Sequence, residues 1–175
     1  REVVGLVLFG HVARIAALKT SYVHGRGQFY AARQRPTRVP QRLLWQALIE
    51  TGARWGELTR ACWQDLDVQG RSLVLRAEHT KSGRTRVIPL RDGLVQELLA
   101  LRPVHQRVRR RLVQPGDRVF LSADGADHQR PTTSARIGFR RILQRAGIAR
   151  QDSSGRWIDI HSLRHSAASR WARNG

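Results

Sequence analysis

Apolar positions along this chain recur in two rhythms, one helical and one alternating, separated by turn-forming residues. From Pro40 onward, Leu44 and Leu48, and Trp45 and Ile49, repeat at i, i+4, and Gly52 is placed to close that helix. Thr51-Gly52-Ala53-Arg54 reads as a tight turn into a short helix bearing Glu57, Leu58 and Ala61, which sets Arg54 at a bend between helices. Ser72 to Ala77 alternates Leu73, Leu75 and Ala77 against Val74 and Arg76, and Thr85 to Leu90 is rich in strand formers. Ser82-Gly83 between them predicts a hairpin with Lys81 at or beside its turn.

Asp92 is positioned to cap a helix whose stripe is Leu94/Leu98 and Val95/Leu99, stopping near Pro103. The segment Arg107 to Arg111 reads as a solvated basic face, Val119 to Leu121 as a short strand, and Asp124-Gly125 as the start of a polar loop. A further helix carries Ala135, Phe139, Ile142, Leu143 and Ala146 and closes at Gly147; Ser162 to Arg173 then puts Leu163, Ala167 and Trp171 on one face. The expected fold is mixed α+β, mostly α-helical with a small antiparallel sheet. Residues 1–39 show no comparable pattern and receive no assignment, leaving 40–175 as the main domain.

Charge changes the picture from a generic globule to a polyanion binder. Lys and Arg number 32 against 13 Asp and Glu, a formal charge of +19, and neutralising phosphates with such an excess releases counterions and gives long-range attraction. A codon bias toward arginine accounts for part of this, since only Lys19 and Lys81 among the basic residues are lysine. A membrane surface fits less well: the apolar run Val3 to Phe9 is too short to span, and His11 and Arg14 interrupt its continuation. Cys62 is the single cysteine, so neither an intramolecular disulfide nor a cysteine-based zinc cluster can form, and a cytoplasmic setting is expected.

Three short motifs carry the chemistry: Thr51-Gly52-Ala53-Arg54-Trp55-Gly56-Glu57-Leu58, then Thr80-Lys81-Ser82-Gly83, then His161-Ser162-Leu163-Arg164-His165. Together, and in this order, they resemble the tyrosine recombinases of the phage integrase family, over the stretch from Pro40 to the end. The resemblance implies the recombinase catalytic fold and strand transfer at a DNA phosphate through a 3′-phosphotyrosine link. It implies no metal and no nucleotide cofactor, double-stranded DNA as the partner, and self-association on that DNA. Arg54 and Arg164 match the guanidinium clamp on the non-bridging oxygens, where planar bidentate donors suit the charge that gathers in the pentacoordinate state. Lys81 matches the general acid that protonates the departing 5′ oxygen, a task for an ammonium and not for a guanidinium.

His161 matches the residue that assists proton transfer or hydrogen-bonds the phosphate, three positions before Arg164 at a helix start. A helix cap is the competing reading of His161, and a zinc pair with His165 lacks a third ligand nearby in sequence. Glu57 fits a supporting role, capping its helix or orienting Arg54. The family pattern continues past the His-x-x-Arg helix to a further His or Trp and then to the attacking tyrosine, and Gly175 precedes both. The tyrosines present, Tyr22 and Tyr30, lie upstream of the matched motifs, so no nucleophile is assigned. The four residues Arg54, Lys81, His161 and Arg164 are expected on one basic concave face, with Lys81 able to stand off on its turn. Two alternatives use the same residues: a non-catalytic DNA-binding remnant and a type IB topoisomerase-like enzyme. A general RNA-binding protein ranks below both, because nothing resembles the aromatic stacking motifs of RNA modules.

Overall fold

The computed structural model describes residues 38–128 and 133–174; the unassigned opening segment, with its Val3 to Phe9 run, Tyr22 and Tyr30, lies outside them. The described residues fall into two compact units, one within Pro36–Pro131 and one within Thr132–Gly175.

The first unit opens with helix α1, Arg42–Thr51. Its Leu43, Leu44, Ala47, Leu48 and Ile49 are buried, which is the apolar stripe that the i, i+4 repeat implies. Gly52 ends it in the left-handed region at φ 61°, a conformation that costs glycine nothing. The Thr51 hydroxyl donates to the Ala47 carbonyl at 2.6 Å and accepts from the Ala53 N–H at 3.2 Å, so the bend is fastened on both sides. Helix α2 is a single turn, Trp55–Leu58. Ala61, expected on it, falls beyond its end and is buried all the same.

After a 3-10 turn at Trp63–Asp65, strands β1 (Leu66–Asp67), β2 (Ser72–Leu75) and β3 (Arg86–Pro89) form an antiparallel sheet in that order. The register pairs Leu73 with Leu66 on one side and with Ile88 on the other, and all three are buried. Val87, on the opposite face, is 63% exposed. The hairpin differs from expectation in one respect: Ala77–His79 is a 3-10 turn and not strand. The connection between β2 and β3 is therefore a longer loop, with Lys81 near its middle.

Helix α3, Asp92–Leu99, buries Leu94, Val95 and Leu98. Asp92 lies in its first turn and pairs with Arg71 at 3.1 Å instead of capping. Pro103 does not stop the chain but sits in the first turn of helix α4, Leu101–Arg109, where no intrahelical partner for an N–H is needed. Residues 119–121 are fully buried yet form no strand; isolated bridges from Cys62 to Arg118 and from Leu121 to Asp127 flank them. A strand needs consecutive ladder pairs, and the turn at Gly125 (φ 88°) leaves room for only one.

The second unit contains helix α5, Thr133–Arg145, a turn closed by a Gln151–Trp157 bridge, and helix α6, Ser162–Asn174. Phe139, Leu143, Ala146, Leu163 and Ala167 are buried. Trp171, expected with Leu163 and Ala167 on one apolar face, is 47% exposed. Among the described residues, no helix is long and apolar enough to cross a membrane.

Candidate nucleic-acid interface

The first unit gathers two arginines on one buried carboxylate. Arg54 stands immediately before α2 with extended backbone, and its N–H donates to Glu57 Oε2 at 2.9 Å. Its guanidinium donates through Nη1 to Oε1 of the same carboxylate at 2.7 Å. From β3, Arg86 donates through Nη2 to Oε2 at 2.6 Å. Glu57 thus caps its helix and holds Arg54 at once, the two supporting roles weighed for it. The Glu57 side chain is 2% exposed, against 37% for Arg54 and 35% for Arg86. Burial by itself would raise the Glu57 pKa, but the hydrogen bonds from the Arg54 N–H and guanidinium, with the charges of Arg86 and Arg54, outweigh it and hold the carboxylate below its ordinary value.

Arg54 keeps donors in reserve. A guanidinium carries five N–H groups, and among the described residues the Glu57 contact occupies only Nη1 of Arg54. The rest belong to a partly exposed side chain that the buried Glu57 carboxylate holds through Nη1. Such an arrangement presents a rigid bidentate fork to an anion arriving from solvent.

Lys81 is exposed on the loop between β2 and β3. The loop is closed by Thr80, whose hydroxyl donates to the Arg84 carbonyl at 2.9 Å and accepts from the Arg84 N–H at 3.1 Å, with Gly83 in the left-handed region at φ 62°. Both roots are tied to buried carboxylates: Arg76 Nε donates to Asp65 at 2.7 Å on one side, and Arg86 binds Glu57 on the other. Asp65 is 4% exposed. The lysine is therefore at the tip of a loop with anchored ends.

The second unit brings together His161, Arg164 and His165. His161 is the exposed residue just before α6, and its carbonyl accepts the Arg164 N–H at 3.0 Å. The His161 and His165 rings meet edge to face with centroids 5.3 Å apart. Capping falls to Asp159 and Ser162, not to His161: Asp159 Oδ1 accepts the Ser162 N–H at 2.9 Å and the Ser162 hydroxyl accepts the Asp159 N–H at 3.1 Å. Among the described residues, no group of three or more metal-ligating side chains is present, so His161 and His165 gain no third ligand there.

Arg86 was not anticipated, and the signal for it was available. Arg86, Ile88 and Leu90 occupy alternate positions, and Ile88 and Leu90 are buried; Arg86 pairs directly with buried Leu75 across the sheet. An arginine in the inward register of a strand needs a buried counter-charge. The basic segment Arg107 to Arg111, at the end of α4, exposes Arg107, Arg110 and Arg111 as a solvated face does, but two of its arginines also bind carboxylates. Arg109 donates to the Gly125 carbonyl (2.9 Å), Asp117 (3.4 Å) and Asp127 (2.5 Å), and Arg111 donates to Asp117 at 2.5 and 2.7 Å.

The model of the phage integrase family matches residues 27–175, and the chain belongs to that family, the tyrosine recombinases. Its fold is similar to that of XerA recombinase, with a TM-score of 0.65 and 21% identity over 95% of this chain and 50% of that one. It is similar also to the Tn1549 transposon integrase in complex with transposon right end DNA (TM-score 0.59, 18% identity, 89% of this chain and 50% of that one). XerH site-specific recombinase bound to its difH substrate, a pre-cleavage complex, gives a TM-score of 0.58 at 20% identity over 77% of this chain and 35% of that one. The chain thus spans half the length or less of these solved relatives. A comparison with curated protein sequences returns no match.

Proposed function

We propose that residues 40–175 are part of the catalytic domain of a site-specific recombinase or integrase that cleaves and rejoins double-stranded DNA through a 3′-phosphotyrosine intermediate. In this reading Arg54 and Arg164 hold the non-bridging oxygens of the scissile phosphate and Glu57 fixes Arg54. Lys81 protonates the leaving 5′ oxygen, and His161 assists at the phosphate. In the same reading the partner is double-stranded DNA, on which copies of the protein self-associate, in the cytoplasm. The single observation that carries the proposal is the Arg54 fork, oriented by a buried carboxylate and holding donors in reserve. Support comes from the family and from relatives whose solved structures hold transposon-end or difH DNA. The chemistry draws on charge stabilisation and proton donation by the chain's own residues, and the energy of the broken bond is kept in the protein–DNA link.

The test is a titration of labelled duplex DNA at several salt concentrations. Affinity is expected to fall linearly on a log–log plot as salt rises, because the +19 charge acts through phosphates; a flat response overturns the DNA reading. Covalent capture on a nicked suicide substrate, read on a denaturing gel, tests the chemistry. These residues alone are expected to give no adduct. A longer form carrying a tyrosine after α6 is expected to give one that is lost on Arg54→Ala or Arg164→Ala. An adduct from this chain that disappears in Tyr22→Phe or Tyr30→Phe would place the nucleophile upstream instead.

A further inference from the structure

The Arg54 fork has a second holder that no motif marks. Glu57 offers two carboxylate oxygens; Arg54 occupies Oε1 through its guanidinium and Oε2 through its backbone, and Arg86 occupies Oε2 from the first residue of β3. With Glu57 2% exposed, a single arginine would leave one buried oxygen with only a backbone N–H for company. The arrangement has a second consequence. Residues 76–85 connect β2 to β3, so Arg86 is also the residue where the Lys81 loop rejoins the sheet.

We propose that Arg86 is a positioning residue that, by sharing the Glu57 carboxylate, sets the direction of the Arg54 guanidinium and fixes the trailing root of the Lys81 loop. The proposal rests on the phosphate-clamp reading of Arg54. Arg86 acts through the carboxylate: it pairs across the sheet with buried Leu75, and the side-chain bond it makes is to buried Glu57, while its own side chain is 35% exposed. Without it, Glu57 has one guanidinium partner, the carboxylate gains freedom to rotate about its last bond, and Arg54 follows it. The geometric demand on Arg54 is strict, since a bidentate contact needs both N–H bonds aligned with two oxygens.

The experiment uses the chain labelled with 15N in arginine, with the Arg54 Nε–Hε signal assigned by its disappearance in Arg54→Lys. Two quantities are read from that signal: its heteronuclear NOE, which reports fast side-chain motion, and its shift during titration with inorganic phosphate. In the unsubstituted chain the NOE is expected to be high. In Arg86→Gln it is expected to fall toward the value of a freely moving arginine, and the phosphate affinity read at Arg54 to drop about tenfold, the effect of one charge-assisted contact. Arg86→Lys, which keeps the charge and reaches Glu57 with one donor, is expected to recover part of both. If Arg86→Gln is unfolded by circular dichroism, the comparison is made between Arg86→Lys and the unsubstituted chain, where a smaller loss of the same sign is required.

A double-mutant cycle with Glu57→Gln separates the routes. If Arg86 works through the carboxylate, adding Arg86→Gln to Glu57→Gln produces little further loss. A full additional tenfold loss would mean that Arg86 touches the phosphate directly and would overturn the positioning role. An unchanged Arg54 NOE in Arg86→Gln overturns it as well. Should phosphate leave the Arg54 signal unmoved in the unsubstituted chain, the clamp reading fails, while the NOE still decides whether Arg86 holds Arg54.

Discussion

Two regions of the first unit solve the same problem with different results. In each, two arginines share one carboxylate: Arg54 and Arg86 on Glu57, Arg109 and Arg111 on Asp117. The Asp117 cluster is the more heavily committed of the two. Arg109 commits Nε, Nη1 and Nη2 to the Gly125 carbonyl, Asp117 and Asp127, and Arg111 spends its donors on Asp117 and the Leu112 carbonyl. Its arginines staple the α4 end to the following loop. At Glu57 the carboxylate is buried more deeply, 2% exposed against 14% for Asp117, both arginines are partly exposed, and most donors of Arg54 are uncommitted. A cluster of charges is therefore read by counting donors left over as well as charges, and Arg54 keeps more of them than Arg109 or Arg111 does.

The sharpest way to test this contrast lies beside the Asp117 cluster. His105 on α4 is 1% exposed and its ring stacks edge-on to Trp63 at 5.7 Å. Burial, aided by the charge of Arg109, lowers its pKa to about 4 against the nearby pull of Asp117. The folded value lies below the ordinary 6.5, so the unfolded chain takes up a proton first as pH falls. Stability is expected to drop between pH 6.5 and 4 by roughly 3 kcal/mol. Urea unfolding across that window checks it, and His105→Leu should remove most of the slope above pH 5. An equal loss in that variant would assign the acid sensitivity elsewhere.

Next in size is the pair of neutralising substitutions. Glu57→Gln strips the counter-charge from two arginines at a buried site and is expected to cost about 2 kcal/mol, whereas Asp117→Asn, whose partner Arg111 is 45% exposed, is expected to cost about 1 kcal/mol. Urea midpoints at neutral pH compare them, and the reverse order would break the distinction between the clusters. The Asp117 pKa is held at about 2 by Arg111 first, despite some desolvation. Its contribution is therefore present above its unfolded value and is lost as pH falls toward 2, a window separate from that of His105.

The smallest expected effect is the most specific to function. Arg54→Ala should reduce the slope of log affinity against log salt for duplex DNA by about 1, while Arg111→Ala should leave it unchanged. Equal slopes for the two variants would mean that spare donors do not predict phosphate contact.

Helices with a strong apolar period were legible from sequence, as α1, α5 and α6 demonstrate, because burial of one face fixes both type and extent. The departures occurred where a local rule met a competing one. Pro103 opens a helix instead of ending one, and Asp92 finds Arg71 instead of an N–H. Residues 119–121 are buried like a strand but have only single bridges beside them. Of the candidate site, Arg54 and Glu57 were legible as neighbours because they are three residues apart at a helix start. Arg86 was missed because its partner is distant in sequence, and only strand register reveals an inward charge.

The loop bearing Lys81, pinned by Arg76 to Asp65 and by Arg86 to Glu57, behaves as a tether of fixed span. With both roots fastened, the volume open to its ammonium is bounded by loop length. Lengthening the loop would dilute the Lys81 ammonium without altering its chemistry, and shortening it would concentrate it. Reach and concentration are thus set together by where the two arginines are fastened.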